Sequence, residues 1–364
     1  MFNMQWGERP IIMLGNGARG ADIARLEGMG VPILTSWAAK DMIDNEHPMY
    51  FGSPGQYGQR VANKIFYEAD HILSIGNRMS IWNVGYEGPR SDQRLVMVDV
   101  DAYEVAKFPQ ADWINQDAAA FVDDLDAPSH VDVEWIVSCV KWRESVPLVE
   151  PGAHEDMDKY VNSYRFMAKL QKFLKQDSII VTDAGGACCS AWQVLQIKPP
   201  QKMMTSGGLG EMGCALPAAI GAAFATDKEI ICLVGDGALM LNLQELATIS
   251  HHKLPVKIIV FANDGYGMIK RTQENAAMQE CGSGVASGLS CPDFIRLARS
   301  FGIETVLTLK ELFRKTTPSR KVAPTLMQVD LHPDQRFVPR VMYSLIDGKQ
   351  VYDRFDCMSP KLEI

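Results

Sequence analysis

Short, mostly apolar runs recur through the first part of the chain, at residues 11–14, 32–35, 71–75 and 95–100, with stretches of helical character between them. The alternation returns in the second half, with apolar runs near 178–182, 229–235, 256–262 and 325–331. A run of four to eight apolar residues without in–out alternation is the mark of a strand buried on both faces. Strand and helix in regular succession then imply parallel sheets covered by helices on both sides. The expected fold class is α/β, with two doubly wound, mostly parallel-sheet domains. Asn162 or Ser163 is placed to cap a helix running to about Lys175, and Pro292 and Gly302 bracket another. Leu239, Leu243, Leu246 and Ala247 repeat at helical spacing and predict one helix after the run that ends near 235.

Between the halves, residues 145–158 collect Pro147, Pro151, Gly152, Glu155 and Asp156 and show no periodicity. The expected organisation is a first domain over 1–145, a linker over 146–160, a second domain over 161–335, and a C-terminal extension over 336–364. That extension is polar with scattered aromatics (Phe337, Tyr343, Tyr352, Phe355) and reads as a docked, partly irregular segment.

The richest chemistry lies in the second half. Ile230-Ile231-Cys232-Leu233-Val234 runs into Gly235-Asp236-Gly237, and the next apolar run, 256–262, enters Asn263-Asp264-Gly265. A strand–helix–strand unit sets Asp236 and Asn263 side by side at the carboxyl edge of a sheet, where open α/β sheets bind ligands. One carboxylate and one amide are too few to cage a metal. Mg²⁺, however, keeps waters and takes remaining oxygens from a substrate's phosphates. Gly235 and Gly237 let backbone approach such a phosphate, and the following helix N-terminus adds unpaired N–H groups. Gly-Asp-Gly and Asn-Asp-Gly are also ordinary turn sequences, so it is their pairing that points to a Mg²⁺–diphosphate anchor.

With Asp236-Gly237 and Asn263 spaced in this way, the chain resembles the thiamine-diphosphate enzymes, and its surroundings look like acetolactate synthase large subunits. Ser206-Gly207-Gly208-Leu209-Gly210-Glu211-Met212-Gly213 and Leu216-Pro217-Ala218-Ala219-Ile220-Gly221 are similar to the family's segment upstream of the metal motif. The resemblance runs from Arg9 to about Val341 and is most specific between Thr205 and Gln273. It implies thiamine diphosphate and Mg²⁺ as cofactors, with Asp236, Asn263 and the main-chain carbonyl of Gly265 as metal ligands. Gly185, Gly186 and Ala187 match the loop at the diphosphate end, and Met212 the residue that props the cofactor into its bent shape. On the same basis Gly210, Gly235, Gly237, Ala238 and Met268 complete the cofactor-binding set.

Gly15-Asn16-Gly17-Ala18-Arg19-Gly20 is a literal dinucleotide fingerprint, but the next strand, Ile33-Leu34-Thr35-Ser36-Trp37, brings no acid for a ribose. NAD binding is therefore not expected. The resemblance assigns this half to the family's central domain, which carries a non-redox FAD in some members. Tyr57-Gly58-Gln59-Arg60, Ala62-Asn63 and Gly76-Asn77-Arg78 lie where relatives approach FAD, and Arg78 is equally suited to a surface acid. FAD is allowed by the resemblance but not expected.

A net charge of −8 without a Lys/Arg run argues against nucleic acid. The eight cysteines lack metal-ligand spacing and read as reduced thiols. No signal-peptide pattern opens the sequence, and the longest small-apolar run, 214–225, is too short for a bilayer. A soluble, cytoplasmic protein without a membrane partner is expected.

In the family the activating glutamate sits on a separate pyrimidine-binding domain, to which no position here matches. The expected substrate is a 2-oxo acid, with that glutamate supplied by an upstream segment or a partner subunit, in a homodimer or larger assembly. A catalytically silent cofactor-binding subunit is the alternative, and a nicotinamide-dependent oxidoreductase a third. Thr272 stands where acetolactate synthases carry a pocket tryptophan, and Gly186-Ala187 where they carry Gln-His. Both are expected to leave an open site suited to larger 2-oxo acids or aldehydes.

Overall fold

A computed structural model describes residues 4–314, 323–347 and 349–362. The first sheet contains β1 (Pro10–Leu14), β2 (Ile33–Thr35), β3 (His71–Ile75), β4 (Arg94–Val98) and β5 (Asp112–Ile114). All are parallel, in the order β2-β1-β3-β4-β5. The second contains β6 (Ile179–Thr182), β7 (Lys202–Met204), β8 (Ile230–Gly235), β9 (Val256–Ala262), β10 (Glu304–Val306) and β11 (Thr325–Asp330). These too are all parallel, in the order β10-β11-β9-β8-β6-β7.

Burial explains the apolar runs. Along β1, Ile12 and Leu14 enter one core while Ile11 and Met13 enter another on the opposite face. Every position is buried, and each such side chain contributes roughly 1.5–3 kcal/mol. The strands that no run announces, β5, β7 and β10, have three residues each and carry exposed Asp112, Lys202 and Glu304. They are sheet edges, where short polar strands resist further pairing.

The structure corrects the single helix expected after β8. Two helices form instead, Asp236–Leu241 and Glu245–His252. Asn242 leaves helical geometry between them, and its Nδ2 donates to the Gly213 carbonyl at 2.7 Å. An amide side chain bonding backbone outside its own helix gives the chain an alternative to continuing that helix. The helix from Ser163 ends at Gln171, short of Lys175, with the Asn162 carboxamide oxygen accepting from the Tyr164 amide. The Pro292–Gly302 bracket encloses Phe294–Ser300, capped by Asp293.

The chain divides into two compact units: Met1–Glu150 with Gln196–Lys198 and Val338–Ile364, and Pro151–Leu195 with Pro199–Phe337. The expected separate extension over 336–364 therefore joins the first unit from Val338 onward. Its hairpin pairs β12 (Tyr343–Ile346) with β13 (Lys349–Tyr352), antiparallel. A buried guanidinium fastens it: Arg60 donates to both Glu150 carboxylate oxygens at 2.7 and 2.9 Å and to the Met358 carbonyl at 2.9 Å. Among the described residues no helix is long and apolar enough to cross a membrane.

Candidate functional site

In the second sheet β7 lies on one side of β6, while β8, β9, β11 and β10 follow on the other. The direction of winding thus reverses between β6 and β8, which opens a crevice beyond their carboxyl ends. Asp183-Ala184-Gly185 follows β6 and Asp236 follows β8, so both expected cofactor loops border that crevice. Gly235 pairs with Phe261 in register, and Asn263 accordingly leaves β9 beside Asp236.

Asp236 is buried and caged by amides. Its Oδ1 accepts from Gly237 N at 2.7 Å, and its Oδ2 accepts from Asn263 N at 2.9 Å and Gly265 N at 3.2 Å. Burial nevertheless wins over these bonds and holds the carboxyl above the usual range, with the nearby Asp264 charge adding to the rise. Gly265 is required by the turn: φ is +147°, and a Cβ there would run into the Ser283 carbonyl.

The Asn263 amide atom facing Asp236 Oδ1 lies 3.3 Å from it and 3.1 Å from the Gly265 carbonyl oxygen. Turned nitrogen-inward, the amide donates to both. Turned oxygen-inward, it completes a cluster of oxygen atoms from Asp236, Asn263 and Gly265. Neighbouring oxygens around octahedral Mg²⁺ stand about 3 Å apart, and the two separations from the Asn263 amide atom are close to that value. Three further positions would remain for water or phosphate oxygens. Among the described residues no cluster of three or more His, Cys, Asp or Glu offers a competing metal site.

The other expected residues fall into two groups around this carboxylate. Gly185 (φ +75°) starts the helix Gly186–Val194, with Met268 Cγ 3.6 Å from where a Cβ on Gly185 would stand, and Ala187 is buried. Met212 brings its methyl within 3.3 Å of the corresponding point on Gly237, where the Tyr266 ring also packs, and Ala238 is buried beside them. Gly210 stands apart: it is exposed, at φ +68°, with open space around it. Thr272 is exposed, and its hydroxyl donates to the Met268 carbonyl at 3.0 Å.

Several residues enter the site unannounced. Asp183 is fully buried at the tip of β6; its Oδ1 accepts from Ala184 N and Gly213 N at 2.8 and 2.9 Å, and its Oδ2 from Ala215 N at 2.8 Å. It thereby fixes the segment bearing Met212 and the start of the helix Ala215–Ala225. The cue was present, an acid between a buried strand and Gly185-Gly186. Asp183→Asn keeps one acceptor and turns an NH₂ towards a backbone donor. It is expected to lower unfolding free energy by ~2 kcal/mol in urea titrations, with the loss borne by one unsatisfied buried amide. The Cys291 thiol is pushed up to about 12 by burial and by the charges of Asp236 and Asp264, so it stays a neutral neighbour of the carboxylate.

Phe337 overturns the expectation that Gly186 leaves the site open. A Cβ on Gly186 would fall within the Phe337 ring, which occupies the space a longer side chain would take. Its approach is set by Gln335, whose Oε1 accepts from Ser163 N at 3.0 Å and whose Nε2 donates to Ser163 Oγ at 2.6 Å. Nothing local in the sequence couples residue 337 to residue 186.

The first unit reverses its winding between β1 and β3, where the glycine fingerprint meets Gly76. There Gly15 N donates to the Ile75 carbonyl, Gly17 N to Gly76, and Ala18 N to Gly15, so the loop amides are committed within the protein. Arg60 is taken by Glu150 and Met358, Asn63 bonds Gly55 and the Phe355 carbonyl, and Arg78 pairs with Glu104 at 3.3 Å. The fingerprint itself winds as a three-residue 3₁₀ segment, Asn16–Ala18, and the helix that follows it, Ile23–Glu27, has only five residues. A pyrophosphate would find few donors here.

Comparison with known proteins agrees with this division. Residues 4–125 match the family profile described as thiamine pyrophosphate enzyme, central domain, and residues 183–329 the profile described as thiamine pyrophosphate enzyme, C-terminal TPP binding domain. Acetolactate synthase isozyme 1 large subunit of Escherichia coli K12 is 30% identical over 354 residues, covering 92% of this chain and 60% of that protein. The probable acetolactate synthase large subunit of Methanocaldococcus jannaschii is 33% identical over 319 residues, covering 82% and 52%. The acetolactate synthase large subunit of Lactococcus lactis is 29% identical over 361 residues, covering 94% and 61%. The chain thus spans about half to three fifths of the length of these relatives. With both matched domains in place, and with relatives over most of its length named acetolactate synthase large subunit, the chain belongs to the thiamine pyrophosphate enzymes.

Proposed function

We propose that this chain is the cofactor-holding part of a thiamine-diphosphate- and Mg²⁺-dependent, acetolactate synthase-like carboligase or decarboxylase acting on a 2-oxo acid. The observation that carries the reading is the Asp236–Asn263–Gly265 oxygen cluster at the crevice between β6 and β8. Asp236, Asn263 and the Gly265 carbonyl would hold the cation, and the start of the helix Gly186–Val194 would meet the diphosphate. Met212 and Tyr266, packed on Gly237, would shape the apolar wall, and Asp183 positions that wall. When bound, the cofactor supplies a nucleophilic carbon and an electron sink for decarboxylating the 2-oxo acid. The chain's own contribution is to bind, orient and keep the crevice dry.

The reading places the activating glutamate on a pyrimidine-binding domain outside residues 1–364. Glu280, which lines the cleft beside Asn263, is engaged by the hydroxyls of Ser283 and Ser287 at 3.0 Å each. Leu209, Met240, Leu241 and Ile269 sit exposed on the segments that carry the site. They fit burial by such a domain or by a second copy of the chain in a homodimer. Differential scanning calorimetry tests the cofactor assignment. Thiamine diphosphate and Mg²⁺ together should stabilise the chain by about 2.7 kcal/mol at a hundred times Kd, while either alone gives little. No joint effect at millimolar concentrations would sink the proposal.

A further inference from the structure

The first unit contains a cleft of about 500 Å³ remote in sequence from the cofactor loops, between residues 84–93 and the returning C-terminal segment. Phe66, Tyr67, Tyr86, Tyr352 and Phe355 give its walls five aromatic rings, and the carboxylates Glu87 and Asp353 beside them make the lining unfavourable to an anion. Tyr86 stacks on Tyr352 at 4.1 Å, and Phe66 meets Phe355 edge to face at 5.5 Å. Volume and lining fall in the range of small-molecule sites.

One polar group in this wall lacks a partner. Gln56 also lines the cleft and is 8% exposed, and its Nε2 is buried without an acceptor. The main chain that carries it is fixed: its backbone N–H donates to the Trp82 carbonyl at 3.0 Å, and its carbonyl accepts from Val341 N at 2.9 Å. Gln93, in the same cleft, is by contrast fully engaged. It donates to the Phe66 and Ala69 carbonyls at 2.8 Å each and accepts from Arg90 N at 2.7 Å. Gly85, at φ +73°, keeps bulk away from the orphan amide. A Cβ there would stand 3.9 Å from Gln56 Nε2 and only 2.9 Å from the Phe355 ring.

Charge narrows the ligand class. Arg90, in the lining, lies over the Tyr67 ring at 4.7 Å, and Arg354 lies over the same ring at 4.9 Å. Each is already neutralised, Arg90 by Asp92 at 2.9 Å and Arg354 by Asp356 at 2.6 Å. An anion would have to displace a carboxylate, whereas a neutral ring displaces nothing. A buried N–H is costly unless some acceptor reaches it. We propose that this cleft binds a neutral, flat ring bearing a carbonyl or carboxamide oxygen, with Gln56 Nε2 donating to that oxygen and the aromatic walls covering the ring.

Saturation-transfer NMR on the full chain tests this with benzamide, benzoate and toluene at millimolar concentration. Benzamide should give signals at least fivefold stronger than either of the other two. Gln56→Leu, which keeps the bulk and removes the donor, should bring benzamide down to the toluene level while the melting temperature holds or rises. Ser91→Trp, at an exposed rim position, should weaken benzamide without touching the core. Benzamide binding no better than toluene, or binding indifferent to Gln56→Leu, would overturn the assignment. Neither thiamine diphosphate nor Mg²⁺ enters the measurement, so its outcome is independent of the proposed activity.

Discussion

Asp236→Ala is expected to abolish the Mg²⁺-dependent stabilisation by thiamine diphosphate and to cost the cation-free chain roughly 3 kcal/mol. Three backbone amides, of Gly237, Asn263 and Gly265, lose their acceptor at once, each worth about 1–3 kcal/mol if left buried and unpaired. Relief of the buried charge offsets part of that sum. The pH dependence has a definite sign. Because burial raises its folded pKa, Asp236 favours the cation-free fold most below the ordinary carboxylate range, and that contribution is lost as pH rises through the raised value. Cation binding runs the other way, since Mg²⁺ needs the carboxylate: affinity should climb with pH across the same window and release a proton. Isothermal titration in buffers of different ionisation enthalpy counts that proton. A variant that kept its Mg²⁺-dependent shift would place the cation elsewhere.

The Phe337 ring over Gly186 carries the second large effect. Gly186→Val should destabilise the chain by roughly 3 kcal/mol, because two carbons must enter space the ring already fills. Phe337→Ala should cost a similar ~3 kcal/mol on its own through the cavity it leaves. Together the two should cost clearly less than the sum, with a coupling above about 1 kcal/mol, since the valine then occupies part of the vacated volume. Strictly additive losses in denaturant titrations would mean the ring is not seated on residue 186. The same contact fills the space beside Gly186 that the glycine alone would have left wide.

The parts of the fold that were legible in the sequence are those whose cause is local. β1, β3, β8 and β9 are buried over nearly their whole length, so most of their residues are apolar and the run declares the strand, with His71, Ser74 and Lys257 as buried polar exceptions. From two such runs, the adjacency of Asp236 and Asn263 follows by topology. Edge strands β5, β7 and β10 escape because half their surface is wet. The break at Asn242 escapes because it depends on the Gly213 carbonyl, delivered by a distant loop. Phe337 and Gln56 escape for a stronger reason: their surroundings are assembled from segments that only the folded chain brings together. Asp183 lies between these cases, with a readable position but a clamp that requires Gly213 and Ala215.

The return of Val338–Ile364 to the first unit means that the second unit is inserted within the first rather than appended to it. Arg60 draws on Glu150 just before the insertion and on Met358 well after it, so one buried side chain spans both junctions. Cutting the polypeptide near residue 338 therefore does not liberate an intact N-terminal half. It strips that half of its closing segment and leaves a guanidinium short of one acceptor. Joining residues near 150 directly to those near 338 would restore the closing segment, while leaving out Gln196–Lys198, the stretch that the first unit takes from within the insert.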